Sequence, residues 1–288
     1  MTGFPHFSRF VQFILERHRI YERRAAGKPA PWTKDSILAA YRFCNVYREL
    51  DRVTRWIAVH WRAPYADHDD LWFAMVVARL INHPPTLEHL ALPGRWNKKQ
   101  FLSVMRARRQ AGEKAFGSAY IVSTNGIARD KAEYLAELVL DPMWTERKVL
   151  RPRPNDSLRS YHNRLLNEQG MGTFMAAQII ADLKYASPSL VAAKDWWTFA
   201  ASGPGSRRGM SYVAGFDPKF HWSESLWLSA LRDLSVLIRP FIAHAQMERL
   251  HNQDLQNCLC EFSKYRRTQL GTGRPKQKFI PHLEHNDA

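Results

Sequence analysis

Apolar residues recur at intervals of three or four along most of the chain, and strict alternation is scarce. That spacing is helical. Residues 5–25 read as a first amphipathic helix, followed by the break "AGKPAPW". Thr33 is then an N-cap, with Asp35 in the first turn, for a helix predicted to run to about residue 61. Asp69-Asp70 would open a shorter helix, apolar nearly all round and therefore buried, that Asn82-His83-Pro84-Pro85 ends. Further helices are expected over about 97–113 and 130–140. Another runs from Gly172 to near Tyr185. Ser223 caps a long helix from 224 to about 250, interrupted or kinked at Pro240, and Asn252 starts a last one through "LQNCLCEFSKYRR". "AYIVST", 119–124, is the best strand candidate, with Asn125-Gly126 as its turn. The predicted class is mainly α: one helical domain over 1–267, a bundle with room for a small β-hairpin near 117–127. Residues 268–288, with two Gly, two Pro and few apolar side chains, read as a basic extended or disordered tail.

Charge changes this picture most. The 288 residues carry a formal charge of +15, with a pI near 10 and 45% hydrophobic content. A core is affordable, and the excess of Lys and Arg points to a polyanion, since phosphate neutralisation supplies most non-specific nucleic-acid affinity. The longest apolar run, "LWFAMVVARL", contains Arg79 and is too short to span a bilayer, so no membrane partner is expected. The N-terminal stretch lacks the pattern of a secretory leader. Cys44, Cys258 and Cys260 are too few for a disulfide framework or a four-thiolate metal site, and no HExxH motif occurs. No metal and no cofactor are called for. GxxxxGK[ST] is absent, so phosphorylation of DNA by this chain alone is not expected.

Three stretches carry candidate chemistry. On a helical wheel for Tyr41–Ile57, Tyr41, Asn45, Arg48, Arg52 and Arg55 fall within roughly an 80° arc opposite the apolar residues. Such a stripe suits phosphates or a base edge, or else is a solvated face paired with Glu49 and Asp51. "GMGTFMAAQ" places Gly170 and Gly172 at a junction of two helices, where exposed amides around Thr173 suit a DNA phosphate. "SGPGSRRG" offers Ser206, Arg207 and Arg208 among glycines, either an anion-binding loop or a basic surface turn.

Gly170-Met171-Gly172, Ala176-Ala177 and then Asp195 resemble the helix–hairpin–helix DNA glycosylase superfamily over ~30 residues. In that superfamily the hairpin grips the DNA backbone and the aspartate sits at the reacting nucleotide. Thr173 or Phe174 stands where lyase-type members carry lysine, so Schiff-base chemistry is not expected. A broader resemblance rests on five blocks in order: "WTKDSILAAYRFCNVYRELDRVTRWI", "FGSAYIVSTNG", "GTFMAAQIIADLKY", "GPGSRRG" and "LQNCLCEFSKYRR". Together they resemble the family comprising the helical domain of phage 5-hydroxymethyluracil DNA kinases and the α-glutamyl/putrescinyl-thymine pyrophosphorylases, which are amino-acid:DNA transferases.

That resemblance implies a transferase that replaces pyrophosphate on a 5-(pyrophosphoryloxymethyl)uracil base in DNA with an amine or amino acid. It implies DNA containing modified thymine and a small amine as partners, with a separate 5-hydroxymethyluracil DNA kinase as a further candidate, in the cytoplasm of an infected bacterium. Asp195 would be the general base or would stabilise positive charge. Trp196 and Trp197 would stack on an extruded base, or else fill the core. Tyr120 is a candidate pocket hydroxyl. Asn257 and Glu261, one turn apart on the last helix, would hold the amine, or else form a capping or solvated pair. Two other activities remain open: excision of a modified base with Asp195 activating water, and a non-catalytic DNA-binding module that serves a kinase.

Overall fold

A computed structural model describes residues 3–90, 96–120, 123–247, 250–275 and 277–279. Helices make up nearly all of its regular structure, as the hydrophobic period requires. Among the described residues, extended pairing is limited to a single bridge between Tyr41 and Lys278. Residues 121 and 122 of the candidate hairpin lie outside the described residues. Its turn lies within them: Asn125 and Gly126 both take positive φ. Residues 276 and 280–288 of the predicted tail also lie outside the described residues.

The chain divides into two compact units, one of residues 1–51 and 200–288 and one of residues 52–199. In the first, Phe7–Ala25, Glu224–His244 and Asn252–Gln269 bury a core that includes Phe10, Ile14, Trp227, Leu231, Leu259 and Phe262. Pro240 lies inside the Glu224–His244 helix, which runs through it and ends earlier than expected. Pro204–Ala214 packs on the last helix, and glycine makes that approach possible. A Cβ on Gly209 would lie 2.0 Å from the carbonyl oxygen of Leu259, and one on Gly205 would lie 2.5 Å from the sulfur of Cys260. "GPGSRRG" is therefore the opening of a helix, with Pro204 in its first turn and Gly215 left-handed at its end. Burial pushes the Cys260 thiol up to about 11, which suits a packing group.

The predicted helix from Thr33 to residue 61 is broken up. Asp35, not Thr33, caps it, accepting from the amides of Ile37 and Leu38 at 2.9 Å, and the helix stops after Ala40. Tyr41 turns extended and is bridged to Lys278. The Arg17 guanidinium then claims the carbonyls of Phe43 and Cys44 at 2.8 and 2.7 Å, so those oxygens are taken by a tertiary donor. Local helix preference loses to these partners. A 3-10 turn at Arg48–Leu50 and the helix Arg52–Ile57 follow, so the stripe from Tyr41 to Arg55 is not one face of one helix.

In the second unit every residue of Leu71–Ile81 is buried, and Asn82 ends the helix in the left-handed region, as its sequence predicts. It packs on Thr173–Leu183, whose Ala176, Ala177 and Ala181 are small enough for close contact. Arg79 and Asp182 face each other inside this pair and are fully buried. The guanidinium donates to both carboxylate oxygens, at 2.5 and 2.6 Å, and also reaches Asn82 and Thr54. Such a pair survives burial only because each group is fully engaged.

Candidate functional site

Four of the sequence candidates meet in the first unit. The segment 43–51 lies along the first half of the Asn252–Gln269 helix, and side chains tie the two together. Asn257 donates its side-chain amide to the Asn45 carbonyl at 3.3 Å. Glu261, itself buried, accepts from the Cys44 amide at 3.2 Å and from Lys264 at 2.5 Å. The Arg48 amide donates to Asp254 at 3.1 Å, and Asp254 pairs with His251 at 3.2 Å. Asn45 folds the loop onto itself: its amide donates to Asp51 at 2.9 Å and its side chain to the Leu50 carbonyl at 2.9 Å. Asn45, Arg48, Asn257 and Glu261 thus belong to one polar cluster built by a loop on a helix.

The sequence reading missed the cluster's most perturbed acid. Asp51 is half-buried, and burial lifts its pKa to about 6. The Glu261 charge adds to the lift, while the Asn45 amide, Arg48 and Arg17 oppose it. Arg17, from the first helix, is buried, and its Nε has no hydrogen-bond partner. Positive and negative groups are therefore interleaved at low solvent exposure, with one carboxyl poised near neutrality. A signal was present in the sequence: an aspartate six residues after Asn45, in a stretch whose helical period had to fail for the two to meet.

The remaining candidates are dispersed. Arg52 is exposed at the start of the first helix of the second unit. Ser206 is buried, and its hydroxyl closes the first turn of the Pro204–Ala214 helix on Gly203. Arg207 donates to Ser202 at 2.7 Å and pairs with Glu224 at 3.1 Å. Arg208 is half-buried on the same turn.

In the second unit, Gly170 takes φ +79° in the turn between Leu158–Leu165 and Thr173–Leu183, and a Cβ there would meet Val139 at 2.8 Å. Gly172 is the N-cap of the second helix and Thr173 its first residue; the Thr173 carbonyl accepts from the His162 ring at 3.2 Å. The Tyr120 hydroxyl is engaged by Gln178 at 2.7 Å, and its ring meets Phe174 edge-on.

Asp195 is half-buried, and both of its oxygens accept backbone amides: Leu158 at 2.7 Å and Arg159 at 2.9 Å. It binds the start of the Leu158–Leu165 helix, as a carboxylate at a helix N-terminus should. Its own carbonyl accepts from Thr198 and Phe199. Trp196 is held by Lys184, and Trp197 is exposed.

Fold and charge thus define a strongly basic, mainly helical protein with a half-buried polar cluster between a loop and a helix. The family model described as "5-hmdU DNA kinase, helical domain" matches residues 4–274, and the chain belongs to that family. The 5-hmdU DNA kinase of Bacillus phage SP10 is 26% identical over 236 residues, which cover 74% of this chain and 37% of that relative. The chain spans well under half the relative's length. No solved structure matches it. No helix among the described residues is long and apolar enough to cross a membrane.

Proposed function

We propose that the chain modifies thymine-derived bases in DNA, displacing pyrophosphate from a 5-(pyrophosphoryloxymethyl)uracil with an amine or amino acid. The amine first gives up an ammonium proton. Its nitrogen then forms a bond to the exocyclic methylene carbon as the bond from that carbon to the pyrophosphate oxygen breaks. Pyrophosphate leaves, and the product is a secondary ammonium.

One observation supports this reading above the others: the interleaved cluster of Asn45, Arg48, Asp51, Asn257 and Glu261. The Arg48 guanidinium, which pairs with Glu49 at 3.5 Å, complements a leaving pyrophosphate, and the cluster's carboxylates complement an incoming ammonium. A carboxyl with a pKa of about 6 is matched to accepting a proton near neutrality, which makes Asp51 a candidate beside Asp195. Membership of the 5-hmdU DNA kinase helical-domain family supports the choice of base, and the net charge of +15 supports DNA as the carrier.

The test is pyrophosphate release from DNA carrying the activated base, with putrescine, glycine and glutamate as amines. Release by the full chain, reduced about tenfold or more in Arg48→Ala and Asn257→Ala, is the expected result. No release with any amine would remove the reaction, and undiminished release by both variants would remove this cluster from it.

A second reading has one observation in its favour. Both Asp195 oxygens are already engaged by backbone amides, which suits a holding role and hence a DNA-binding module serving a kinase. Salt-dependent DNA binding with no product of any kind would favour that module.

A further inference from the structure

Lys184 is only 1% exposed, an unusual position for an ammonium. It is used to grip one residue. Its Nζ donates to the Trp196 carbonyl at 3.0 Å and lies 3.9 Å from the centre of the Trp196 ring, while the Trp196 indole N–H donates to the Lys184 carbonyl at 2.8 Å. Asp195, next in the chain, pins the same turn from the other side through Leu158 and Arg159. Two successive residues are thus fixed by four side-chain hydrogen bonds and a cation–π contact.

The residue this clasp presents is Trp197, 53% exposed and edge-on to Trp196 with centroids 4.8 Å apart. Tyr185, 37% exposed, meets Trp196 edge-on at 5.4 Å. Cations line the Tyr185 and Trp196 rings. Lys184 also lies 5.6 Å from the centre of the Tyr185 ring, Arg62 lies 5.2 Å from that centre and is anchored to Asp182 at 3.6 Å, and exposed Lys194 stands three residues before Trp197. An exposed indole beside rings lined by cations complements a ligand with a flat apolar face and flanking negative charge. A nucleobase with its phosphates has both.

We infer that Trp197, with Tyr185 beside it and Asp195 and Lys184 as positioning residues, is a stacking platform for one nucleobase outside the duplex stack. Within a duplex both faces of a base are covered, so the platform selects an unpaired or extruded base. This rests on the proposed action on DNA and adds the state of the base that is engaged. It also gives Asp195 a role that needs no proton transfer.

The test uses the full chain and three labelled DNAs: a single strand, its perfect duplex, and the same duplex with one unpaired thymidine. Anisotropy titrations are run over a range of salt. Trp197→Ala is expected to weaken single-strand and bulge binding by about five- to hundredfold, the strength of one base–aromatic stack. Duplex affinity and the salt slope, which count phosphate contacts, are expected to stay unchanged. Trp197→Tyr should recover part of the loss. Asp195→Asn offers an amide nitrogen where an acceptor is needed, and it should reproduce the Trp197→Ala pattern with an unaltered circular-dichroism spectrum.

Equal weakening on all three DNAs, or none, would overturn the platform while leaving DNA binding intact. Unchanged single-strand binding by Asp195→Asn would overturn its positioning role. Binding of the wild type to no DNA would overturn both platform and DNA reading. Trp197-dependent binding to anionic phosphatidylglycerol vesicles, with no such dependence on DNA, would assign the surface to a membrane instead.

Discussion

Replacing Asp51 by Asn tests the polar cluster without chemistry. The folded chain holds this carboxyl at a pKa of about 6, against an ordinary value of 3.8. Between those two pH values the folded protein keeps a proton that the unfolded chain has already released. Stability therefore falls as pH rises through this window and is flat above it, the opposite of the usual carboxylate behaviour. The full difference corresponds to about 3 kcal/mol. Solvent screening at a half-buried site trims this to about 2 kcal/mol. Asparagine keeps an oxygen to accept the Asn45 amide but has no charge to bury. Urea unfolding of both proteins at pH 3.0, 4.5, 6.0 and 7.5 measures the effect. The stability of Asp51→Asn relative to wild type should climb by about 2 kcal/mol across the series and level off at the top. A difference independent of pH, or one that falls with pH, would refute the account of Asp51 and weaken its case as a proton acceptor.

Further substitutions test the packing inside each unit. Gly209→Ala places a Cβ against the Leu259 backbone and should lower stability by about 2 kcal/mol after alanine's better helix propensity is counted, or about 5 °C in Tm by calorimetry; an unchanged Tm would contradict the close approach. Asp182→Asn should destabilise by about 3 kcal/mol or more in urea because it leaves Arg79 charged and buried, whereas Asp182→Leu combined with Arg79→Met should recover much of that loss. Failure of the double variant to recover any stability would mean that the pair does more than balance its own charge.

The helical class was legible because the apolar period needs no tertiary information. Asn82 as a stop, Ser223 as a cap and Asn97 at the start of its helix all stand where the sequence puts them. The failure between 41 and 61 has a different origin. Nothing local reveals that Arg17 will take the carbonyls of Phe43 and Cys44, or that Asp254 will take the Arg48 amide. Asn45 and Arg48 were picked out by a stripe that does not exist, yet Asn45 meets Asn257 and Arg48 meets Asp254 because the loop that replaces the helix lies along 252–269. "GPGSRRG" looked like a loop, although Pro204 and Gly215 were available as start and stop signals. Arg79, Asp182 and Lys184 each interrupt an apolar run, and a charge in such a run demands a partner. That signal identifies buried pairs, but which charge meets which is decided by the helix packing.

The proposed transfer is most directly tested by mass spectrometry of nucleosides from DNA bearing the activated base, incubated with the full chain and an amine. The account predicts a thymidine derivative heavier than thymidine by the amine's own mass less two hydrogens, with an equal amount of pyrophosphate released. Recovery of the activated base unchanged with every amine, or abasic sites in place of the adduct, would contradict it.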